Sequence, residues 1–324
     1  MDYYRLFDNY NIAPLIEKYQ GKTIEEIYPN HKVISNKMGK FLDIFYDPLN
    51  LPIYIDLKIS KQNLINNLKV IPFIGEEIES FLKKRGIKSV YDLRHVFRYS
   101  RDAKLLIDLI KTQDFKNLST NQYIYDIDIS FCFKLNELLF LDIETLDLYD
   151  SPIIMFGYGY FKKSSFYIHI LFAREINEEI AICEHLKNEI LPKFKCFVSY
   201  NGKSFDIPYL ANRFMYYFDF NPMISDNDTP YESFNTIYHH IDLYHNCRRK
   251  FKGLFYNYTL TDIEKFLLNM NRNNDIPSNL MGFCYRNYLK DPSRYIGLIR
   301  ECLEHNYYDV YSMPLILHKL LNQD

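Results

Sequence analysis

Tryptophan and long apolar runs are both missing from the chain of 324 residues. Because a membrane-spanning helix needs about 20 consecutive apolar residues, the sequence excludes a transmembrane protein. The opening residues MDYYRLFDNYN contain acids and lack the apolar core of a signal peptide. With 48% hydrophobic residues, the composition is typical of a packed soluble protein, and we expect a cytoplasmic location.

Cysteine pairs with the spacing of a metal or redox motif are missing as well. The cysteines are scattered, with no CxxC and no paired histidine spacing, at Cys132, Cys183, Cys196, Cys247, Cys284 and Cys302. This distribution excludes a zinc ribbon and a disulfide framework. We therefore expect reduced and mostly buried thiols.

The chain also lacks a large excess of either charge. The formal net charge is −2, so the chain as a whole is not a polycation and any nucleic-acid binding must come from local patches. One basic patch is RRKFK at residues 248–252, and the other is formed by Arg94, Arg98, Arg101 and Lys104. Either patch could contact phosphates or form a solvated helix face.

Two carboxylates stand one residue apart in LLFLDIETLDL, an apolar run at residues 138–148 that is typical of a buried strand. Side chains two apart on a strand project to the same face, so Asp142 and Glu144 point together. Burying two ionised carboxylates without compensation is costly, and a divalent cation would neutralise both. The alternatives are that Asp142 caps the strand end or that Glu144 turns outward at a sheet edge.

Two further acidic positions have comparable settings. A predicted strand ends at Asn201 and Gly202, and Asp206 opens the next helix, either as part of a site at the strand end or as an ordinary helix cap. His305 and Asp309 lie four residues apart on a predicted helix and so share a face. That pair is either part of a site or a surface interaction.

The first half of the chain divides into three predicted parts. Residues 1–66 form a β-rich segment with strands at KFLDIFY (40–46) and LPIYIDLKI (51–59). Residues 67–116 form a helical module, in which Pro72 and Gly75 mark a tight turn and Gly86 ends the following helix. Residues 117–136 are predicted to be a linker.

The remaining residues, 137–324, are predicted to form one α/β domain. Apolar strands are expected at 138–143, 153–160 and 166–171, and short connections make them antiparallel neighbours. A helix at 176–190, a strand at 196–201, a helix after Asp206, a strand at 237–243 and C-terminal helices follow. This order resembles the ribonuclease H-like fold, a mixed sheet flanked by helices.

Three motifs in sequence order make a family resemblance specific. DIET, then NGKSFD, then a helical His-x-x-x-Asp are similar to the exonuclease motifs of the DEDD (DnaQ-like) superfamily. The chain resembles most its YprB-like branch, which shares NGKSFD-x-P-x-L at 201–210, DL-x-H-x-x-RR at 242–249 and HN-x-x-D at 305–309. The match covers about residues 137–320.

This resemblance implies a catalytic centre. Asp142, Glu144, Asp206 and Asp309 match the four carboxylates that hold two divalent metal ions, Mg²⁺ or Mn²⁺, and His305 matches the general base. In the better-known branches, three residues separate a Tyr from the last Asp, or four residues separate a His from it. Here His305 has the tyrosine spacing, so Tyr307 and Tyr308 remain alternatives for the residue that serves the water.

The resemblance also implies substrate contacts. Thr145, Asn201, Lys203 and Ser204 match positions beside the substrate strand, and Arg248 and Arg249 match phosphate contacts. Asp242 is either an accessory ligand or an ordinary acid at a strand end.

A second resemblance concerns the helical module, which is similar to the helix-hairpin-helix element of DNA-binding proteins. The matching residues are Ile71, Pro72, Ile74, Gly75, Ile78, Leu82, Gly86, Ile87, Ser89, Asp92 and Leu93. Phe73 stands where the element has its first hairpin glycine. The module therefore either presents backbone N–H groups to a DNA phosphate or is a purely structural unit.

The family resemblance thus implies a metal-dependent 3′-to-5′ exonuclease with a nucleic-acid partner, and the resemblance of the helical module favours DNA over RNA. A structure-selective endonuclease is a rival enzyme, because one fold can support both kinds of cut. A non-catalytic nucleic-acid-binding protein is the third alternative.

Overall fold

A computed structural model describes residues 12–219, 221, 237–272 and 276–322. The opening stretch MDYYRLFDNYN, considered above for a signal peptide, therefore lies outside the described residues. Among the helices of the described part, none is long and apolar enough to cross a membrane.

The fold is built on one mixed sheet of seven strands. The strands are β1 (His31–Asn36), β2 (Gly39–Phe45), β3 (Leu138–Thr145), β4 (Ile153–Lys162), β5 (Ser165–Phe172), β6 (Cys196–Ser199) and β7 (His239–Asp242). Their spatial order is β1-β2-β5-β4-β3-β6-β7. β6 runs parallel to β3 and β7, whereas the other neighbours are antiparallel. The predicted mixed sheet and its antiparallel β3, β4 and β5 are confirmed.

Helices surround this sheet. They are α1 (Ala13–Tyr19), α2 (Ile24–Ile27), α3 (Lys58–Asn66), α4 (Glu76–Lys84), α5 (Val90–Leu93), α6 (Ser100–Thr112), α7 (Phe115–Ser119), α8 (Glu179–His185), α9 (Asp206–Phe218), α10 (Leu243–Lys250), α11 (Leu260–Ile263), α12 (Met281–Lys290) and α13 (Pro292–Leu321). Among the shorter helical turns are the 3₁₀ turns Asp126–Cys132 and Ser278–Leu280 and the π-helical turns Leu186–Ile190 and Glu264–Leu268.

The alternation of side chains along β3 decides what each face of the sheet carries. Leu139, Leu141 and Ile143 pack in a core with α8 and α9. Leu138 and Phe140 pack in a second core that includes Val310 and Met313 of α13. Because Asp142 and Glu144 have the same parity as Leu138 and Phe140, they belong to the face that α13 covers.

The N-terminal segment differs from its prediction. Residues 51–59 are not a strand, because the chain is irregular there until α3 begins at Lys58, and the Asp56 side chain accepts a hydrogen bond from the Lys58 N–H at 2.9 Å. The apolar alternation that suggested a strand instead reflects burial of Ile55 and Leu57 in a core. β1 was missed, and β2 hydrogen-bonds to β5, so this segment extends the main sheet.

The expected linker also differs from its prediction. Residues 117–136 contain the end of α7 and the 3₁₀ turn Asp126–Cys132. Ile124, Ile129 and Phe131 are buried in the same core as the helical module and α13. Because this stretch buries apolar side chains against the helical module and α13, it is an integral part of the fold. The division of the chain into domains stays a prediction.

The helical module has the predicted turn and helix end. α4 ends at Lys84, and Gly86 has a φ of +88°, a left-handed conformation that glycine adopts readily. Phe73 has a φ of +66°, and its side chain is 81% exposed. This phenylalanine thus adopts the backbone conformation expected of the glycine it replaces.

Candidate active site

The predicted carboxylates come from three elements, β3, α9 and α13, that meet around the C-terminal half of β3. Asp142 and Glu144 lie on β3, which is an interior strand between β4 and β6, and Glu144 is only 7% exposed. Asp206 is the first residue of α9, and its Oδ1 accepts the Ile143 N–H at 3.0 Å. Asp309 lies on α13 and is buried. The strand-end, sheet-edge and helix-cap alternatives therefore do not describe these residues.

His305 joins this group from α13. Its Nε2 lies 3.4 Å from Asp309 Oδ2 and 3.8 Å from Glu144 Oε1, and the imidazole is 7% exposed. One ligand atom each from Glu144, His305 and Asp309 lies within 4.8 Å of the others. The His305–Asp309 pair is therefore a buried contact and not a surface interaction.

The carboxylates raise one another's proton affinity. Burial raises the pKa of Asp142 well above its ordinary value, and the charges of Asp309, Asp206 and Glu144 raise it further. Burial also raises the pKa of Asp206 to about 7, although the hydrogen bond from the Ile143 N–H opposes this shift. Such a cluster is unfavourable when fully ionised, and a bound cation would relieve the repulsion.

Asn306 supports Asp142 from α13. Its Nδ2 donates to Asp142 Oδ2 at 2.7 Å. Its Oδ1 is buried and has no hydrogen-bond partner among the described residues. Gly157 of β4 is the cross-strand partner of Asp142 on β3. It makes room for this amide, since a Cβ atom at Gly157 would lie 2.2 Å from Asn306 Oδ1. The sequence signal for Asn306 was its place in the HN-x-x-D motif, to which no role was assigned.

Arg272 and Glu264 are members of the site that the sequence did not indicate. Arg272 Nη2 lies 2.5 Å from Asp309 Oδ1 and 2.5 Å from Glu264 Oε1. Both side chains are almost completely buried. Arg272 stands in a polar stretch with no motif, so only the tertiary fold reveals its contact with Asp309.

The donor set fits hard divalent cations such as Mg²⁺ or Mn²⁺. These ions prefer carboxylate oxygens, and an imidazole nitrogen also suits Mn²⁺. The guanidinium of Arg272 already provides a positive charge at Asp309. Asp142, Glu144, Asp206 and Asp309 are the residues that would hold the metals, with His305 beside them.

Lys203 and Arg249 meet at Asp126, in the stretch predicted to be a linker. Lys203 Nζ lies 2.5 Å from Asp126 Oδ2, and Arg249 Nη2 lies 3.5 Å from Oδ1. Asn246 Nδ2 also donates to Asp126 Oδ1 at 2.6 Å, and the Asp242 N–H donates to Oδ2 at 3.1 Å. Asp126 therefore links two predicted substrate contacts, and sequence reasoning missed it because nothing in its local sequence points to β7.

Asp242 holds the loop that precedes Asp206. Its carboxylate accepts the N–H groups of Asn201 at 2.9 Å and Lys203 at 3.1 Å, and it caps α10 through the Tyr244 N–H at 3.0 Å. Asn201 itself has a φ of +65°. Asp242 is thus a structural acid at a strand end that orders the predicted substrate-binding loop.

The remaining predicted substrate contacts are spread more widely. Thr145 is buried, and its hydroxyl donates to the Asp147 carbonyl oxygen at 2.7 Å. Ser204 and Arg248 are both exposed, and the Arg248 guanidinium lies 5.5 Å from the Tyr244 ring centre. The structure does not bring Thr145 or Arg248 to the Asp126 contact that joins Lys203 and Arg249.

The comparisons with known proteins agree with this architecture. A family model described as the RNase_H superfamily matches residues 139–321, which is more than half of the chain. The chain is also 28% identical over 189 residues to "Uncharacterized protein YprB" of Bacillus subtilis (strain 168). That alignment covers 56% of this chain and 42% of the relative, so the chain spans less than half of the relative's length.

Proposed function

The chain belongs to the RNase_H superfamily, and on that premise we propose that it is a two-metal nuclease that removes nucleotides from the 3′ end of DNA. The superfamily supports nucleic-acid phosphodiester hydrolysis as the class of reaction and a nucleic acid as the partner. The observation that carries the proposal is the buried group of Asp142, Glu144, Asp206 and Asp309 with His305 against it. A cytoplasmic location stays a prediction.

The residues have separable roles in this reaction. Two bound Mg²⁺ or Mn²⁺ ions would lower the pKa of the attacking water and stabilise the leaving 3′ oxygen. Asp142, Glu144, Asp206 and Asp309 would hold these ions, and Asn306 orients Asp142 through its 2.7 Å hydrogen bond. Their crowding favours metal binding because each carboxylate lies in the field of the others.

His305 is the proposed general base. An imidazole titrates near neutrality and can accept a proton from the attacking water. Its Nε2 lies 3.4 Å from Asp309 Oδ2, so the imidazole stands directly beside a proposed metal ligand. Tyr307 instead packs on Tyr46 with ring centres 4.3 Å apart, and Arg272 lies 5.7 Å from the Tyr308 ring centre. These contacts favour His305 over either tyrosine.

Lys203 and Arg249 are the proposed phosphate contacts, and Asp126 holds both of them in place. The other proposed contacts, which would line the path of the nucleic-acid strand, are Thr145, Asn201, Ser204 and Arg248. The preference for DNA rests on the helix-hairpin-helix resemblance. In that element the hairpin would present backbone N–H groups to a phosphate near Gly75.

The test is digestion of DNA and RNA labelled at the 5′ or the 3′ end, single-stranded and duplex, with Mn²⁺ or Mg²⁺. We expect products of 5′-labelled DNA that shorten progressively from the 3′ end, with activity lost in Asp142→Asn and in His305→Ala. Asp108→Asn, which changes an exposed carboxylate outside the site, should retain full activity.

Other outcomes would contradict parts of this proposal. Loss in Asp142→Asn but not in His305→Ala would keep the metals and remove the proposed base. Discrete internal cuts would favour the endonuclease, and preference for RNA would reverse the proposed substrate. If no substrate is cleaved with either metal, the chain is a non-catalytic binding protein.

A further inference from the structure

Arg272 is a buried cation at the carboxylate cluster for which the proposed reaction has no role. It follows the π-helical turn Glu264–Leu268, and its side chain is 4% exposed. Its Nη2 lies 2.5 Å from Asp309 Oδ1, and its Nη1 donates to the His305 carbonyl oxygen at 3.4 Å. The guanidinium therefore packs against the turn of α13 that carries two of the proposed site residues.

Glu264 binds the same guanidinium at two points. Arg272 Nε donates to Glu264 Oε2 at 2.8 Å, and Nη2 donates to Oε1 at 2.5 Å. The Glu264 side chain is 1% exposed, so its charge depends on this cation. Nη2 carries two N–H groups and contacts both Glu264 and Asp309, so the two carboxylates share the positive charge of one guanidinium.

The contact with Asp309 conflicts with metal binding at the same oxygen. Mg²⁺ binds carboxylate oxygens at about 2.0–2.1 Å, closer than the guanidinium nitrogen now lies. Two positive groups on one oxygen also repel each other in a buried setting. Asp309 Oδ2 is already beside His305 Nε2, at 3.4 Å. A metal at Oδ1 would therefore either displace Nη2 or share the oxygen with it at an electrostatic cost.

We propose that Arg272 is a positioning residue that competes with the divalent cation for Asp309, and that Glu264 weakens this competition by holding the guanidinium. The inference rests on the proposed function, in which Asp309 is a metal ligand. When Nη2 leaves Asp309, the contacts with Glu264 keep the guanidinium paired. Metal affinity at this site is then set partly by two residues that do not themselves bind the metal.

Two variants should change metal affinity in opposite directions. Glu264→Met combined with Arg272→Met removes the competitor without leaving a buried charge unpaired, and we expect about tenfold tighter Mn²⁺ binding. Glu264→Gln leaves Arg272 with Asp309 as its remaining carboxylate at this contact, and we expect about threefold weaker binding. Arg272→Met alone is unsuitable because Glu264 would then face the metal without its cation.

The measurement is a titration of the metal-free full chain with Mn²⁺, in which electron paramagnetic resonance reports the free ion. No nucleic acid is present, so the result does not depend on catalysis. Arg174→Met with Glu178→Met is the matched control, because it removes another ion pair, with Arg174 Nη2 2.8 Å from Glu178 Oε1, away from Asp309. This control should bind Mn²⁺ as the wild type does.

The outcomes separate this inference from the proposed function. If the wild type binds Mn²⁺ and the double Met variant binds it equally or more weakly, the inference is wrong and the proposed metal centre stands. If neither protein binds Mn²⁺, both fail. Should the double variant not fold, Glu264→Gln decides alone, since unchanged or tighter binding there overturns the inference.

Discussion

At the candidate site, the fold holds several buried carboxylates close together although their negative charges repel one another. Asp142 and Asp206 have raised pKa values because both are buried and lie near other carboxylates. Asn306 and Gly157 matter because they fix the geometry of Asp142 without carrying charge.

Gly157→Ala should destabilise the protein. The new Cβ would lie 2.2 Å from Asn306 Oδ1, which is buried, so either β4 or α13 must shift. We expect a loss of about 1–3 kcal/mol in the free energy of unfolding. Urea denaturation measures it. Gly75→Ala is the control, because nothing lies within 4 Å of its added Cβ, and equal losses in both variants would contradict the crowding at Asn306.

Asp206→Asn should gain stability relative to the wild type as pH rises in the absence of metal. The pKa of Asp206 is about 7 in the folded protein and 3.8 for the unperturbed group. The folded state therefore holds the extra proton between these values, and the wild type loses stability as pH rises through this window. The variant stays neutral, so the difference in unfolding free energy should shift by about 1–3 kcal/mol in its favour between about pH 5 and pH 8.

Urea denaturation in a chelating buffer at both pH values measures this shift. Comparing two proteins cancels the contributions of His239 and His240, whose pKa values burial lowers to about 4 and about 3. A difference that does not change with pH would mean that Asp206 is ionised throughout the range.

Among the structural elements, the 3₁₀ turn Asp126–Cys132 has a larger role than its sequence suggests. It packs Ile129 and Phe131 into the core and places Asp126 beside Lys203 of one loop and Arg249 of α10. This turn thus sets the spacing of two cations that come from distant parts of the chain.

Asp126→Asn should weaken nucleic-acid binding without removing any positive charge. Lys203 and Arg249 would lose the carboxylate that holds both of them in place. We expect about threefold to tenfold weaker binding, a small effect because both cations are partly exposed and water screens their charges. Fluorescence anisotropy with labelled DNA, in the Asp142→Asn background to prevent cleavage, measures it. Tighter binding would show instead that Asp126 masks the two cations from phosphate.

At the scale of the whole molecule, metal binding should stabilise the fold, because the candidate ligands join β3, α9 and α13. At a free Mn²⁺ concentration of about 100 times Kd, one site contributes about 2.7 kcal/mol. Thermal unfolding with and without Mn²⁺ measures it in the wild type, in Asp309→Asn and in Asp108→Asn. A wild-type melting temperature that ignores Mn²⁺ would contradict the metal centre.

The order of elements around the sheet was predictable from local patterns. β3, β4 and β5 are mostly apolar, and short connections make such strands antiparallel neighbours. The strand predicted at 51–59 was wrong because alternating apolar residues can also be buried in an irregular segment, as Ile55 and Leu57 are. Burial shows in the sequence, whereas the backbone conformation that achieves it depends on neighbouring elements.

The sequence by itself determined which residues could form a site. Asp142 and Glu144 share a strand face, and His305 and Asp309 share a helix face, because strand and helix periods are properties of the local backbone. Only the tertiary structure decided that these faces meet, that Asp126 anchors Lys203, and that Arg272 reaches Asp309. These contacts join residues distant in the chain, and their energies come from burial and charge in a space that exists only after the sheet and α13 have packed together.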